Sequence, residues 1–318
     1  MGLAGGGVDV QAGGKMNIVE IENVTKTFGE VRAVDGLFLN VPQGSIYGFI
    51  GPNGSGKTTT LRMIMNIFYP DAGVLRVFGR PLAGTASDRI GYLPEERGLY
   101  KKMKVRDFLR FIGLLKSGRR VHREVDDWLA RLELGAWAGK KIETLSKGMA
   151  QKVQFIAAVV SRPELIILDE PFTGLDPVNL EALKNALLEL RGLGATVIFS
   201  THDMNVAEKM CDFIFMIYKG RKVLDGTLTS IQDEYGHDTL RLQAEGGISG
   251  LGKLSGVEKI TDFGRLQELR LRPDADPQQI LAAVMARTRV SSFELAKPTL
   301  YDIFLRIAGE EAGEGRDA

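Results

Sequence analysis

The run Gly51-Pro52-Asn53-Gly54-Ser55-Gly56-Lys57-Thr58 has the composition of a loop that holds phosphate. Gly54 and Gly56 free the backbone so that successive N–H groups can point inward at phosphate oxygens. Lys57 has the charge and reach for the β- and γ-phosphates of a nucleotide. The Thr58 hydroxyl can coordinate Mg²⁺, and Thr59 can add a contact to the α-phosphate. The loop follows a strand-like run, Ser45 to Ile50, and precedes a helical pattern from Thr58 to Phe68. A helix that starts at the phosphate brings the positive end of its dipole to the anion. Strand before and helix after separate this loop from a chance glycine-rich turn.

A second group completes the chemistry. In Leu165-Ile166-Ile167-Leu168-Asp169-Glu170 an apolar run ends in two carboxylates. A buried strand of this kind can deliver its terminal carboxylate beside the phosphate loop. Asp169 would hold Mg²⁺ through water, and Glu170 would orient or deprotonate the attacking water. The plainer alternative is a carboxylate that caps a loop or helix. These two groups together suit hydrolysis of a nucleoside triphosphate and leave ATP and GTP both open.

The segment Leu145-Ser146-Lys147-Gly148-Met149 narrows the field. It precedes the helical pattern Gln151 to Val160 and lies shortly upstream of Asp169. That order resembles the ATP-binding cassette (ABC) family, whose signature is Leu-Ser-Gly-Gly-Gln. Lys147 stands where the family has its first Gly, and Met149 where it has Gln. The resemblance implies that Ser146 and backbone N–H groups near Gly148 bind the γ-phosphate of ATP held by a second subunit. A plain Ser N-cap is the alternative. Further elements follow the family order. Phe28 matches the aromatic that stacks on adenine, against the alternative of a core aromatic. Gly174-Leu175-Asp176-Pro177 resembles the loop that links the two sites of a dimer. Ser200-Thr201-His202-Asp203 resembles the segment whose His, here His202, bonds the γ-phosphate. In Gly91-Tyr92-Leu93-Pro94-Glu95, Glu95 occupies the place of a Gln that senses Mg²⁺. Glu95 is either a hard oxygen ligand for that ion or a solvated loop acid. His122 and His237 have no comparable setting.

The elements that must carry these residues alternate between strand and helix. Strand-like runs span Ile18 to Val24, Ala33 to Val41, Leu165 to Leu168 and Ala195 to Ser200. Residues 101–160 are mostly helical, a helix spans Asn179 to Leu190, and 213–226 reads as a hairpin turning at Lys219-Gly220. That alternation argues for an α/β fold with a parallel sheet, and the resemblance implies a P-loop ABC ATPase domain with a parallel core sheet, an antiparallel β subdomain and a helical signature subdomain. Composition shifts near residue 233. Beyond it, strands at Thr239–Gln243, Val257–Thr261, Glu268–Arg272 and Val290–Leu295, with helices at Pro277–Arg287 and Thr299–Ala308, predict a small α+β domain, ferredoxin-like in type. The domain expectation is a disordered tail over 1–16, the nucleotide domain over 17–232, the accessory domain over 233–310 and a disordered tail over 311–318. The accessory part resembles the C-terminal extension of bacterial ABC-2-type exporter ATPases, through Ser292-Phe293-Glu294-Leu295 and Pro298-Thr299-Leu300-Tyr301-Asp302-Ile303-Phe304.

Composition excludes some partners. The chain of 318 residues carries Lys+Arg 41 against Asp+Glu 40, a balance that gives no support for nucleic-acid binding. Its single cysteine, Cys211, cannot form an internal disulfide. No stretch reaches the roughly 20 apolar residues of a membrane helix, and the N-terminus lacks a signal pattern. The resemblance then implies an ATPase subunit with ATP and Mg²⁺, peripheral on the cytoplasmic face of the membrane. It would work as a homodimer, or a heterodimer with a second ABC ATPase, on separately encoded permease subunits. A soluble ABC ATPase of translation or DNA repair and a nucleotide-responsive regulatory module are the alternatives. The basic stretch Lys101 to Arg123 is read either as a contact to permease or lipid headgroups or as a solvated helix face.

Overall fold

The computed structural model describes residues 16–81, 88–96, 98–236, 238–245 and 255–314. It divides into two compact units, with the break between Asp225 and Gly226. Of the tail expected over residues 1–16, residues 1–15 lie outside the described residues, as do 315–318 and His237, while the Met16 carbonyl accepts the Gln43 N–H at 3.0 Å.

Two sheets build the first unit. An antiparallel sheet takes β1 (Asn17–Phe28) and β2 (Val31–Pro42), and adds β4 (Ala72–Val77) and β5 (Arg80–Pro81) in the order β2-β1-β4-β5. The second sheet holds β3 (Ile46–Ile50), β6 (Ile90–Leu93), β7 (Leu165–Asp169), β8 (Thr196–Thr201), β9 (Phe213–Tyr218) and β10 (Arg221–Gly226), in the order β10-β9-β3-β8-β7-β6. Strands β9, β3, β8, β7 and β6 are parallel neighbours. Every residue of β3, β7 and β8 is buried. That explains their continuous apolar runs, because a parallel sheet is covered on both faces. At the β9–β10 turn Lys219 and Gly220 both have positive φ, at 48° and 79°, the conformation a two-residue hairpin demands.

The parallel register levels the strand ends. Ile50 pairs with Thr201, Asp169 with Ser200 and Leu93 with Leu168. The loops that carry the candidate chemistry therefore leave one edge of the sheet together, the edge where such folds bind ligands. Around the sheet lie α1 (Lys57–Ile64), α5 (Pro177–Gly192) and α6 (Met204–Met210). A helical layer of α2 (Val105–Ser117), α3 (His122–Arg131) and α4 (Lys147–Val159) is bound into the same core, with Trp128 edge-on to Phe155 at 5.8 Å.

Several element boundaries differ from the sequence reading, two of them beside the candidate chemistry. The helix after the phosphate loop ends at Ile64 rather than Phe68, since Asn66 adopts φ 59° and the N–H groups of Ile67 and Phe68 turn back to the Arg62 carbonyl. The signature helix begins at Lys147 rather than Gln151, so the signature residues form its first turn. No helix among the described residues is long and apolar enough to cross a membrane.

The second unit holds α7 (Leu228–Tyr235), β11 (Thr239–Ala244), β12 (Val257–Asp262), β13 (Gln267–Leu271), α8 (Pro277–Met285), β14 (Val290–Ala296) and α9 (Leu300–Glu314). Its sheet has the order β12-β13-β11-β14 with antiparallel neighbours throughout, the order of the ferredoxin-like pattern. Leu240, Leu242, Leu269 and Leu271 from alternate strand positions pack with Ile280 and Val284 of α8. Helix α7 joins this unit: Gln232 Nε2 donates to the Pro298 carbonyl at 2.9 Å and Lys297 pairs with Asp233. Helix α9 continues past Gly309 to Glu314, beyond the point where a disordered tail was expected from residue 311.

Candidate nucleotide site

Gly56 caps α1 with φ 110°, and a Cβ there would lie 2.5 Å from the Ala33 carbonyl oxygen. Only glycine fits, and the loop is thereby pressed against the antiparallel sheet. Ser55 and Lys57 are 3% and 5% exposed. The Lys57 ammonium donates to the Gly51 and Pro52 carbonyls at 2.8 and 3.0 Å, so the loop curls around its own lysine. Burial lowers the Lys57 pKa, against the opposing charges of Glu170, Asp169 and Glu95. Three carboxylates from two other loops thus face this cation. Asn53 in the loop is exposed, while Thr59 in the first turn of α1 is half-buried.

Strand β7 delivers Asp169, which is fully buried. Thr58 Oγ1 donates to Asp169 Oδ1 at 3.2 Å and Ser200 Oγ donates to the same oxygen at 2.5 Å. Asp169 Oδ2 is buried and has no hydrogen-bond partner among the described residues. Thr58, Asp169 and Glu95 offer hard oxygen donors, the kind Mg²⁺ takes. Among the described residues no cluster of three His, Cys, Asp or Glu could hold a metal alone.

Glu170 follows immediately, with φ 50°. This left-handed backbone is uncommon for a side-chain-bearing residue and marks a held turn. Its N–H donates to Ser200 Oγ at 2.9 Å. Its Oε2 accepts from Thr173 Oγ1 at 3.0 Å and lies 3.0 Å from His202 Nδ1. Its Oε1 is buried without a partner among the described residues. Ser200 therefore bridges Asp169 and Glu170 from the end of β8, and Thr173 steadies the second carboxylate. Sequence reading assigned neither a role; a hydroxyl at the end of a buried strand was the one available signal.

The remaining residues sit in two further places. Phe28 ends β1, 43% exposed and edge-on to Phe68 at 5.2 Å, so it is not a core aromatic. Ser146, Gly148 and Asp176 form a separate cluster. Ser146 is the N-cap of α4, its Oγ accepting the Met149 N–H at 3.2 Å. Asp176 caps α5 by accepting the Asn179 N–H at 2.9 Å, and bonds from Asn179 hold its carboxyl below the usual range. A Cβ on Gly148 would meet Asn179 Nδ2 at 3.1 Å, which sets these two helix starts side by side. The loop carrying Glu95 is tied to α4, because Gln154 Nε2 donates to the Glu96 carbonyl at 3.3 Å. In the basic stretch, Arg106 and Arg110 share Asp126, and Arg119 pairs with Glu124; much of its charge is met within the helical layer.

A phosphate loop on a parallel sheet, two carboxylates at the next strand end and a capped signature helix define a P-loop nucleotide hydrolase of the cassette type. The family model for "ABC transporter" matches residues 34–173, and that for "ATP-binding protein DrrA1-3-like, C-terminal domain" matches 226–308. The ABC transporter ATP-binding protein YhaQ of Bacillus subtilis is 40% identical over 294 residues, covering 92% of this chain and 99% of that protein. The Nod factor export ATP-binding protein I of Burkholderia lata is 34% identical, covering 92% and 97%. The daunorubicin resistance ATP-binding protein DrrA3 of Streptomyces coeruleorubidus is 30% identical, covering 92% and 96%. A solved ATP-binding subunit of an ABC transporter superposes with a TM-score of 0.65 at 30% identity, covering 69% of this chain and 93% of that one. This chain belongs to the ABC transporter ATP-binding protein family and is an ATP-binding ATPase.

Proposed function

We propose that this chain is the ATP-hydrolysing subunit of a membrane exporter, acting as a dimer that sandwiches two ATP molecules. Lys57, the loop Gly51 to Gly56, Thr58 and Thr59 hold the phosphates, and Phe28 stacks on adenine. Thr58 and Asp169, with Glu95 beside them, hold Mg²⁺, which screens the phosphate charge when bound. Glu170 is the base and His202 keeps the attacking water and γ-phosphate in line. Ser146 and Gly148 contact the γ-phosphate of the partner's ATP, with Asp176 in the loop between sites. Separately encoded permease subunits receive the closing and opening of the dimer, and the chain sits on the cytoplasmic face of the membrane.

The observation that carries this reading is Glu170. Thr173 and His202 occupy Oε2, while Oε1 is buried and has no partner among the described residues, which leaves one carboxylate oxygen to accept a proton from water. The exporter assignment is supported by the named relatives, one in Nod factor export and one in daunorubicin resistance. The test is Glu170→Gln, measured for turnover and for ATP-dependent dimerisation. The expected result is a loss of about 10²–10⁴-fold in hydrolysis, with an ATP-bound dimer that accumulates. Normal turnover would remove Glu170 from the role of base.

A further inference from the structure

Lys147 stands at the signature position where the family has glycine. It is the first residue of α4, exposed, on a first turn that contains no acidic residue. A cation there adds to the positive end of the helix dipole instead of offsetting it. Among the described residues nothing pairs with it. Its side chain instead lies along Gly174, the glycine of the loop that follows Glu170. A Cβ on Gly174 would fall 2.5 Å from Lys147 Nζ, 2.8 Å from Cε and 3.5 Å from Cδ, and Gly174 has φ 73°. The next residue back, Thr173, donates to Glu170 Oε2. The signature lysine of this chain therefore rests one residue from the group that steadies the chain's own candidate base.

We propose that Lys147 is a movable phosphate ligand that links the two composite sites of the dimer, an inference that rests on the sandwich reading above. A lysine stem at the start of α4 can exchange its rest on Gly174 for the γ-phosphate of the ATP that the partner holds. That exchange answers an uncompensated cation with a dianionic group, the strongest class of hydrogen bond open to it. It also withdraws the side chain from the Thr173–Gly174 segment, so that engagement of one ATP alters the loop which positions Glu170 at the other. Gly174 leaves room for the stem in the resting position, and the positive φ keeps the loop clear of it.

The test uses the full chain carrying Glu170→Gln and compares it with Glu170→Gln plus Lys147→Met and Glu170→Gln plus Lys147→Arg. Methionine keeps the stem that packs on Gly174 and removes the charge. Sedimentation with ATP and Mg²⁺ should show the Met variant's dimer weakened about tenfold, one charge-assisted contact per site. The Arg variant should recover most of that loss. Dimer strength in the parent should fall more steeply with added salt than in the Met variant, because an ion contact is screened and packing is not. In the otherwise native chain, Lys147→Met should lower the Hill coefficient for ATP in hydrolysis toward one. A parent that dimerises with ATP and a Met variant that matches it in strength and salt response overturn the role of Lys147 alone. A parent that does not dimerise with ATP overturns the sandwich and this inference together.

Discussion

The two helix starts proposed to meet phosphate, those of α1 and α4, are built differently. Helices α1 and α4 both begin without an acidic residue in the first turn, so both keep an uncompensated positive end. At α1 the flanking Ser55 and Lys57 are 3% and 5% exposed, and the loop is wedged against the Ala33 carbonyl. Its own chain supplies Asp169, Glu170 and Glu95 around the lysine. At α4 Ser146 and Lys147 are exposed, and the nearest neighbour to a Cβ on Gly148 is the end of the Asn179 side chain. The first start is a pocket finished from within the chain. The second is a surface, and on the proposed function its phosphate arrives with another subunit.

Two glycine-to-alanine changes press hardest on that difference. Gly56→Ala meets both φ 110° and a backbone oxygen at 2.5 Å. It should lower stability by about 3 kcal/mol and abolish ATP binding, read by denaturation and by equilibrium binding. Gly148→Ala meets only a movable amide at 3.1 Å and gains helix propensity of up to about 1 kcal/mol. Its melting should stay near that of the unaltered chain, while the new methyl obstructs the phosphate and ATP-driven dimerisation falls at least about tenfold. Equal stability losses in the two variants would erase the distinction between pocket and surface. Between these and the smallest effect lies a measurement on the native chain. Below the dimer's Kd, turnover should rise with the square of protein concentration, and strict proportionality would mean that one chain completes the site.

What the sequence disclosed follows the same division between local and long-range. The loop Gly51 to Thr58 and the pair Asp169–Glu170 were legible because each is one strand end with its own continuation. The α/β class followed from apolar runs with helices between them. Ser200 was not legible as the bridge between Asp169 and Glu170, because that contact exists only once β7 and β8 align. Thr173 and the rest of Lys147 on Gly174 depend on the turn that Glu170 takes at φ 50°. Short strands such as β5 and β6, of two and four residues, carry too few residues to show a period, and Asn66 ended α1 by a backbone choice that apolar spacing does not record. Asp176 and Ser146 were read for phosphate and dimer contacts; the structure adds that each caps a helix.

That double use of Ser146 gives the smallest and most discriminating expectation. Its hydroxyl accepts the Met149 N–H, so Ser146→Ala should cost about 1 kcal/mol in unfolding free energy through the lost cap. A weakened dimer in that variant could follow from the cap alone. Ser146→Asp separates the two roles, because aspartate caps a helix as well as serine does and a carboxylate favours the positive helix end. Stability of the Asp variant should equal or exceed that of the native chain above the carboxyl's pKa. The same negative charge, set where the partner's γ-phosphate approaches, repels it. ATP-dependent dimerisation should then fail in the more stable of the two variants. Were the Asp variant to dimerise as the native chain does, Ser146 would be a cap and nothing more, and the exposed start of α4 would lose its claim to the second half of the site.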